Sequence, residues 1–332
     1  MKKILITGAS GFIGSALAEE AVKRNYEVYA GIRSTSSRIF LEELGAKILE
    51  MNLADAASLE RFLFDLKYSA GDFDYIIHNA GITKAKKEED FYTVNYRYTK
   101  NLVSALTESN FILKKFIYMS SLAALGPGVG SAPIHETNSP QPITAYGRSK
   151  LLSEKLLTAQ SDLPFLIIRP TAVYGPRDRD LLMLIKILNR KIEPYIGFKK
   201  QMLSFVYIRD LAKAVFATME SSHTLCSYNV GDGNDYTLRS FNEAVKKHLS
   251  RKTFRITIPA TVARPMAFLS ESFSKLSGTA SAFNRERLKE YQAKNWLCDT
   301  SALKDDLQFR PDYTLENGLQ ETIDWYRKNK WL

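Results

Sequence analysis

Thr7-Gly8-Ala9-Ser10-Gly11-Phe12-Ile13-Gly14 links an apolar run, Lys3 to Thr7, to an amphipathic one, Phe12 to Arg24. Its glycines fall at G-x-x-G-x-x-G spacing. In such a loop one glycine allows the tight turn, one lets a pyrophosphate approach the backbone, and one lets the helix pack close to its strand. The first helical turn then presents free N–H groups to the phosphates. Glycine triplets alone often mark mere turns. Here a strand precedes, and a helix with Ile13, Leu17 and Ala21 on one face follows. The loop therefore predicts dinucleotide binding, with Gly8, Gly11, Phe12, Ile13 and Gly14 at the phosphates.

Outward from the loop, short apolar runs alternate with helical segments. Strands are expected at Glu27 to Ile32, Lys47 to Met51, Tyr75 to His78, Lys115 to Met119 and Pro164 to Ile168. Helices are expected at Phe40 to Leu44, Ala57 to Leu66, Phe91 to Ser109 and Thr144 to Gln160. This alternation predicts an α/β Rossmann fold, a doubly wound parallel sheet, over residues 1–175. After Gly175-Pro176 the pattern loosens. A helix at Leu181 to Asn189, a strand at Phe205 to Ile208, a helix at Asp210 to Met219 and a strand at Tyr228 to Val230 follow. Segments near 202–231 are expected to return to the Rossmann domain. Residues 176–201 and 232–332 are expected to form a smaller mixed substrate lobe, closed by a helix at Leu315 to Lys328.

The second strand distinguishes the dinucleotides. An NAD site usually ends this strand on a carboxylate for the ribose 2′-hydroxyl. Here it runs Val28-Tyr29-Ala30-Gly31-Ile32-Arg33-Ser34-Thr35-Ser36-Ser37-Arg38, with no carboxylate. Arg33 and Arg38 suit a 2′-phosphate, because guanidinium forks pair with phosphate oxygens. The other reading is a solvated basic loop. NADP is the expected cofactor, with NAD as the alternative.

Tyr146 and Lys150 stand four residues apart at the start of a helical segment, and so share a face. A phenol of pKa about 10 is a poor acid–base group at neutral pH, and a neighbouring ammonium is expected to lower that value. Ser120-Ser121 directly follows the strand Phe116-Ile117-Tyr118-Met119, where a parallel sheet opens its crevice. A serine there would hydrogen-bond a substrate oxygen beside Tyr146.

The chain has 332 residues and a net charge of +10, with short, dispersed basic clusters lacking interleaved aromatics. That pattern argues against a nucleic-acid groove. Two cysteines, Cys226 and Cys298, and four scattered histidines give no disulfide framework and no metal spacing, and a reducing cytoplasm is expected. No apolar run reaches the length of a membrane span. Met1-Lys2-Lys3-Ile4-Leu5-Ile6 mimics a signal peptide, then gives way to glycines and Glu19-Glu20, so the start is read as mature protein.

The chain resembles the extended short-chain dehydrogenase/reductase family, also called the NAD-dependent epimerase/dehydratase family. The resemblance rests on Thr7 to Gly14, Asn52-Leu53 with Asp55, His78-Asn79-Ala80-Gly81, Asn95 with Thr99-Lys100-Asn101, and Ser120-Ser121. It continues through Tyr146 to Lys150, Arg169-Pro170, Val173 to Pro176, Phe205 to Asp210 and Tyr228 to Gly231. It implies that Ser121, Tyr146 and Lys150 are the catalytic triad. It further implies that Asn52 and Leu53 hold the adenine, that Ala80 and Gly81 pass the ribose and phosphates, and that Pro170 and Val173 flank the nicotinamide. Arg33 matches an arginine of NADP-dependent members similar to dihydroflavonol reductases and 3β-hydroxysteroid dehydrogenases. The implied reaction is hydride transfer at nicotinamide C4, with Tyr146 trading a proton and Ser121 orienting the substrate oxygen. A homodimer through the helices Phe91 to Ser109 and Thr144 to Gln160 is implied as well.

Departures narrow the substrate. No acid follows Ser121, as a dehydratase would need. Ala172 and Leu203 stand where nucleotide-sugar epimerases carry an asparagine and an arginine. Arg177, Arg179 or Lys199 could replace those donors. The leading expectation is reduction or oxidation of a ketone, aldehyde or secondary alcohol on a non-nucleotide substrate. A nucleotide-sugar epimerase and a non-catalytic NADP sensor are the alternatives. The apolar positions Pro259, Val262, Met266, Phe268, Leu269, Phe273 and Leu276 read as lobe core, as pocket lining, or as a membrane-touching surface.

Overall fold

Strand and helix alternate from the first residues. The computed structural model describes residues 1–160, 162–197, 200–277 and 284–332. In chain order come β1 (Lys3–Thr7), α1 (Phe12–Lys23), β2 (Glu27–Ile32), α2 (Ile39–Glu43), β3 (Lys47–Glu50), α3 (Ala56–Ala70) and β4 (Tyr75–His78). Next are α4 (Glu88–Phe91), a π-helical stretch at Tyr92–Arg97, α5 (Tyr98–Glu108), β5 (Lys115–Met119), α6 (Ala145–Thr158) and β6 (Phe165–Pro170). The segment expected as one helix from Phe91 thus starts a turn earlier and widens over Tyr92–Arg97. The wide turn carries Asn95, fully buried, whose amide bonds the Ile82 carbonyl and the Ser149 hydroxyl, each at 3.0 Å.

The remaining elements are β7 (Ala172–Tyr174), α7 (Arg179–Asn189), β8 (Ile192–Ile196), β9 (Met202–Leu203), β10 (Phe205–Tyr207), α8 (Ile208–Glu220) and β11 (Cys226–Val230). Then follow β12 (Tyr236–Thr237), α9 (Leu238–Leu249), β13 (Phe254–Ile258), α10 (Ala260–Ser277), α11 (Arg285–Gln292), β14 (Asn295–Trp296), α12 (Ser301–Leu307) and α13 (Leu315–Lys328).

Seven strands form one parallel sheet in the order β11-β6-β5-β4-β1-β2-β3. Alternate residues of each strand face opposite sides. Ile4 and Ile6 of β1, with Ile77, Ile117 and Ile168, pack on α1 and α8 through Leu17, Ala21, Leu211, Val215 and Phe216. Leu5, with Ile76, Phe116 and Ile167, packs on α3 and α5 through Leu59, Leu63, Leu102 and Leu106. Both faces are covered by apolar cores of aliphatic and aromatic side chains. This is the doubly wound arrangement.

Of the stretch near 202–231, α8 and β11 pack on the large sheet, whereas β9 and β10 pair outside it. β10 joins β7, and β9 lies between β12 and β14. A further core of Leu182, Ile185, Phe205, Phe241, Leu319, Ile323 and Tyr326 holds α7, α9 and α13 together. β8 and β13 form a separate two-stranded parallel ribbon. On α10, Ala263 and Ala267 are buried, while Val262, Met266 and Phe268 are exposed. These exposed residues correct the lobe-core reading where side chains are described. The side chains of Leu269, Phe273 and Leu276, and the whole of Lys199, lie outside the described residues. Among the described residues no helix is long and apolar enough to cross a membrane.

Candidate active site

The glycine loop is built by close approach. Gly8 has φ +66°, and a Cβ there would stand 2.8 Å from Ala80 Cα, at the end of β4. A Cβ on Gly14 would meet the Gly8 carbonyl oxygen at 2.1 Å. The α1 N-cap is Gly11, with no side-chain cap and no acid in the first turn. The N–H groups of Phe12, Ile13 and Gly14 are therefore left to an outside acceptor, and their positive end suits an anion. This donor set fits a dinucleotide pyrophosphate.

The C-terminal ends of the neighbouring strands are fixed by polar bonds. His78 is fully buried between Thr7 Oγ1, at 2.8 Å, and Thr99 Oγ1, at 2.9 Å. Burial, with the Lys150 charge, pushes its pKa down to about 3, so it sits neutral between β1 and α5. Ala80 N–H donates to Thr7 Oγ1 at 3.1 Å, and Gly81 lies beside Asn95 and Lys150. Asn52 is exposed after β3, and Leu53 is half-buried, its carbonyl accepting from Asn101 at 2.9 Å. Pro170 ends β6, and Val173 lies in the neighbouring β7, paired with Val206.

Arg33 is exposed just past β2, and its guanidinium forms no ion pair among the described residues. Arg38 differs. It N-caps α2 and pairs with Glu50 at the end of β3. Of the two arginines expected at a 2′-phosphate, Arg38 is engaged by Glu50, whereas Arg33 has no ion-pair partner among the described residues.

Ser121 and Tyr146 are hydrogen-bonded just past the end of β5, and Lys150 follows one turn along α6. Thr144 caps α6 by accepting from Gly147 N–H at 3.1 Å, which fixes the turn carrying Tyr146. Ser121 caps the short 3₁₀ turn Leu122–Ala124, with Ala123 N–H 3.2 Å from its hydroxyl. Ser120 points the other way, fully engaged with Glu154. Lys150 is 5 % exposed, donates to the Met119 carbonyl at 2.7 Å and lies 4.8 Å from the Tyr118 ring centre. Desolvation draws its pKa down to about 8, while the Glu154 charge pulls upward. For Tyr146 the expectation from spacing is reversed in this state. Burial pushes the phenol up, a hydrogen bond with Ser121 lowers it, Glu290 raises it and Arg287 lowers it.

Two groups escaped the sequence reading. Glu154 is buried one turn beyond Lys150 and takes Arg169 Nε at 3.0 Å and its second nitrogen at 2.8 Å. Its four-residue spacing from Lys150 was a usable signal. On the opposite side, α11 brings Glu286 to the Ala145 N–H and places Arg287 and Glu290 near Tyr146. Arg287 also pairs with Asp180 at 3.3 Å, and Asp180 with Lys84. Nothing local in the sequence marks these contacts, since 141 residues separate Ala145 from Glu286. Arg177 stacks on Phe40 at 3.9 Å and Arg179 lies over Trp331 at 5.5 Å. Ala172 and Leu203 present no donor side chain.

Fold and site together define an NAD(P)-dependent enzyme of the short-chain dehydrogenase/reductase class. The chain belongs to the NAD dependent epimerase/dehydratase family, whose model matches residues 4–231. It is 24% identical over 331 residues to the ceramide reductase of Caulobacter vibrioides, covering 99% of this chain and 96% of that protein. It is 26% identical over 288 residues to a decarboxylating sterol-4-alpha-carboxylate 3-dehydrogenase of Dictyostelium discoideum, covering 83% and 86%. Among solved structures, UDP-glucose 4-epimerase of Thermotoga maritima with UDP-glucose superposes with a TM-score of 0.80 at 22% identity, covering 99% of both chains.

Proposed function

We propose that the protein is an NADP-dependent oxidoreductase acting on a ketone, aldehyde or secondary alcohol of a non-nucleotide substrate. The observation that carries this reading is the buried Tyr146 phenol hydrogen-bonded with Ser121 just past the end of β5, with buried Lys150 one turn along α6 and bonded to the last carbonyl of β5. Bound nicotinamide supplies or accepts the hydride at its C4. Gly8, Gly11, Phe12, Ile13 and Gly14 hold its pyrophosphate, Asn52 and Leu53 border the adenine, and Ala80 and Gly81 line the way to the ribose. Pro170 and Val173 flank the reacting ring, and Arg33 takes the 2′-phosphate. In the reductive direction Tyr146 Oη gives its proton to the substrate oxygen, which Ser121 Oγ holds in place. Lys150 Nζ, anchored on the Met119 carbonyl, stabilises the phenolate left behind.

Ala172 and Leu203 support a substrate without a diphosphate, since an unpaired phosphate charge in a cleft is costly. Relatives named for ceramide and sterol chemistry are in keeping with such a substrate. A nucleotide-sugar epimerase remains the second reading, favoured by the Arg287 guanidinium near Tyr146. Calorimetric titration of UDP, UDP-glucose and dTDP-sugars into the NADP-loaded protein separates the two. No binding at millimolar ligand is expected. Micromolar binding that competes with a carbonyl substrate would establish the epimerase.

A further inference from the structure

The β8–β13 ribbon has one face made wholly of apolar side chains. Register pairs Phe254 with Ile192, Ile256 with Pro194, and Ile258 with Ile196. Paired residues of parallel strands face the same way, and every second residue shares that face. The other face carries Glu193 and Tyr195, tied inward through Lys246 of α9 at 3.0 Å and through Thr253 at 2.6 Å. Among the described residues, α10 and α11 cover the Ile196–Ile258 end of the apolar face, through Ala263, Ala267 and Leu288. At the other end Phe254 is 75% exposed, Ile192 41% and Ile256 40%.

That uncovered end is ringed by cations. Arg190-Lys191 leads into β8, and Arg251-Lys252 leads into β13. The Phe254 N–H donates to the Lys191 carbonyl at 2.8 Å, so both basic pairs lie at the same end of the ribbon. All four side chains are exposed, and none forms an ion pair among the described residues. From Lys186 to Gln201 the sequence holds a single acid, Glu193, whose carboxylate is buried and engaged. From Lys246 to Ser270 it holds none.

We propose that this end of the lobe docks on an anionic lipid surface, with Phe254, Ile192 and Ile256 entering the headgroup layer and Arg190, Lys191, Arg251 and Lys252 meeting lipid phosphates. Protruding apolar side chains within a basic, acid-free rim suit a bilayer interface, where apolar insertion and charge attraction add. An acidic protein partner would explain the rim but calls for shape and hydrogen-bond complementarity on a surface whose cations are exposed and, apart from the Arg251–Asn189 bond at 3.3 Å, make no side-chain polar bond among the described residues. The docking is independent of the reaction assigned above, and its test uses no turnover.

The 332-residue chain is floated with vesicles of phosphatidylcholine carrying about 30% anionic phosphatidylglycerol, and with uncharged vesicles of pure phosphatidylcholine. Binding to the anionic vesicles is expected, at least tenfold tighter than to the neutral ones and weakened by salt. Neutralising Arg251→Gln and Lys252→Gln should cost about fivefold each. Phe254→Asp, at a site too exposed to disturb folding, should abolish flotation while leaving the thermal melt unchanged. Wild-type protein that fails to float overturns the proposal. So does a Phe254→Asp variant that floats like the wild type, or one whose only change is loss of self-association in gel filtration.

Discussion

At the scale of single residues, the chemistry turns on three side chains with different burdens. Tyr146 is the one phenol set between Ser121 and the Lys150 helix face. Tyr146→Phe removes the proton donor but none of the glycine-loop contacts. Turnover should fall about 10²–10⁴-fold while NADPH still quenches protein fluorescence with unchanged affinity. Turnover within a factor of ten of wild type would sink the mechanism. Lys150 carries a different burden. Its ammonium titrates near 8 in the folded protein against an ordinary 10.5, so the unfolded chain binds more protons between those values. Stability from this group therefore rises as pH climbs from 8 to 10.5, and below pH 8 burying the charge costs up to about 3 kcal/mol. Lys150→Met should be inactive yet melt higher than wild type at pH 7, with the gap closing toward pH 10. A gap that widens with pH would contradict the assignment.

At the scale of elements, β2 and the two helices beside the active site carry separate consequences. β2 ends on Ile32, Arg33 follows it, and Glu50 at the end of β3 is held by Arg38. A guanidinium–phosphate contact is worth about 1.5–3 kcal/mol. Arg33→Ala should weaken NADPH binding tenfold or more and leave NADH nearly unchanged; equal losses in calorimetry would refute the preference. α5 and α6 pack side by side on one face of the sheet, and Leu152 of α6 remains 38% exposed. A pair of these helices meeting its symmetry mate would cover that leucine. Sedimentation is expected to give twice the chain mass, and a strictly monomeric mass at micromolar concentration would exclude the pairing.

For the whole molecule, legibility in the sequence follows from how each part is held. β1, β4, β5 and β6 are buried on both faces, so each reads as an apolar run that periodicity and length locate to within two residues. The pairing of Tyr146 with Lys150 is readable from four-residue spacing within one helix and the Ser120-Ser121 pair from its attachment to a strand end, whereas the choice of Ser121 comes from the family resemblance alone. The lobe is different. β9, β12 and β14 are two residues each, held by partners up to 93 positions away, and so short a strand has no period to read. The basic ribbon end is likewise a product of register, since Arg190 and Arg251 lie in separate stretches that only the β8–β13 pairing brings together.

One feature of the sheet bears on how the chain reaches this state at all. β6 is a fully buried strand, Phe165-Leu166-Ile167-Ile168-Arg169-Pro170, and its outer edge is closed by β11, made 56 residues after β6 has ended. During synthesis at about 5–20 residues per second, that edge stays open for several seconds after its own side chains are in place. An apolar strand with unpaired N–H and C=O groups templates pairing with other chains. The hydrogen bond from Leu225 N–H to the Phe165 carbonyl, at 2.7 Å, extends that closure to the first residue of β6. A chain stopped at Lys200 should therefore collect in the pellet, although it contains six of the seven strands of the sheet. Extending it to Glu220 should change little, and extending it past Val230 should restore soluble protein. A soluble, monomeric chain ending at Lys200 would show that another segment guards the edge until β11 arrives.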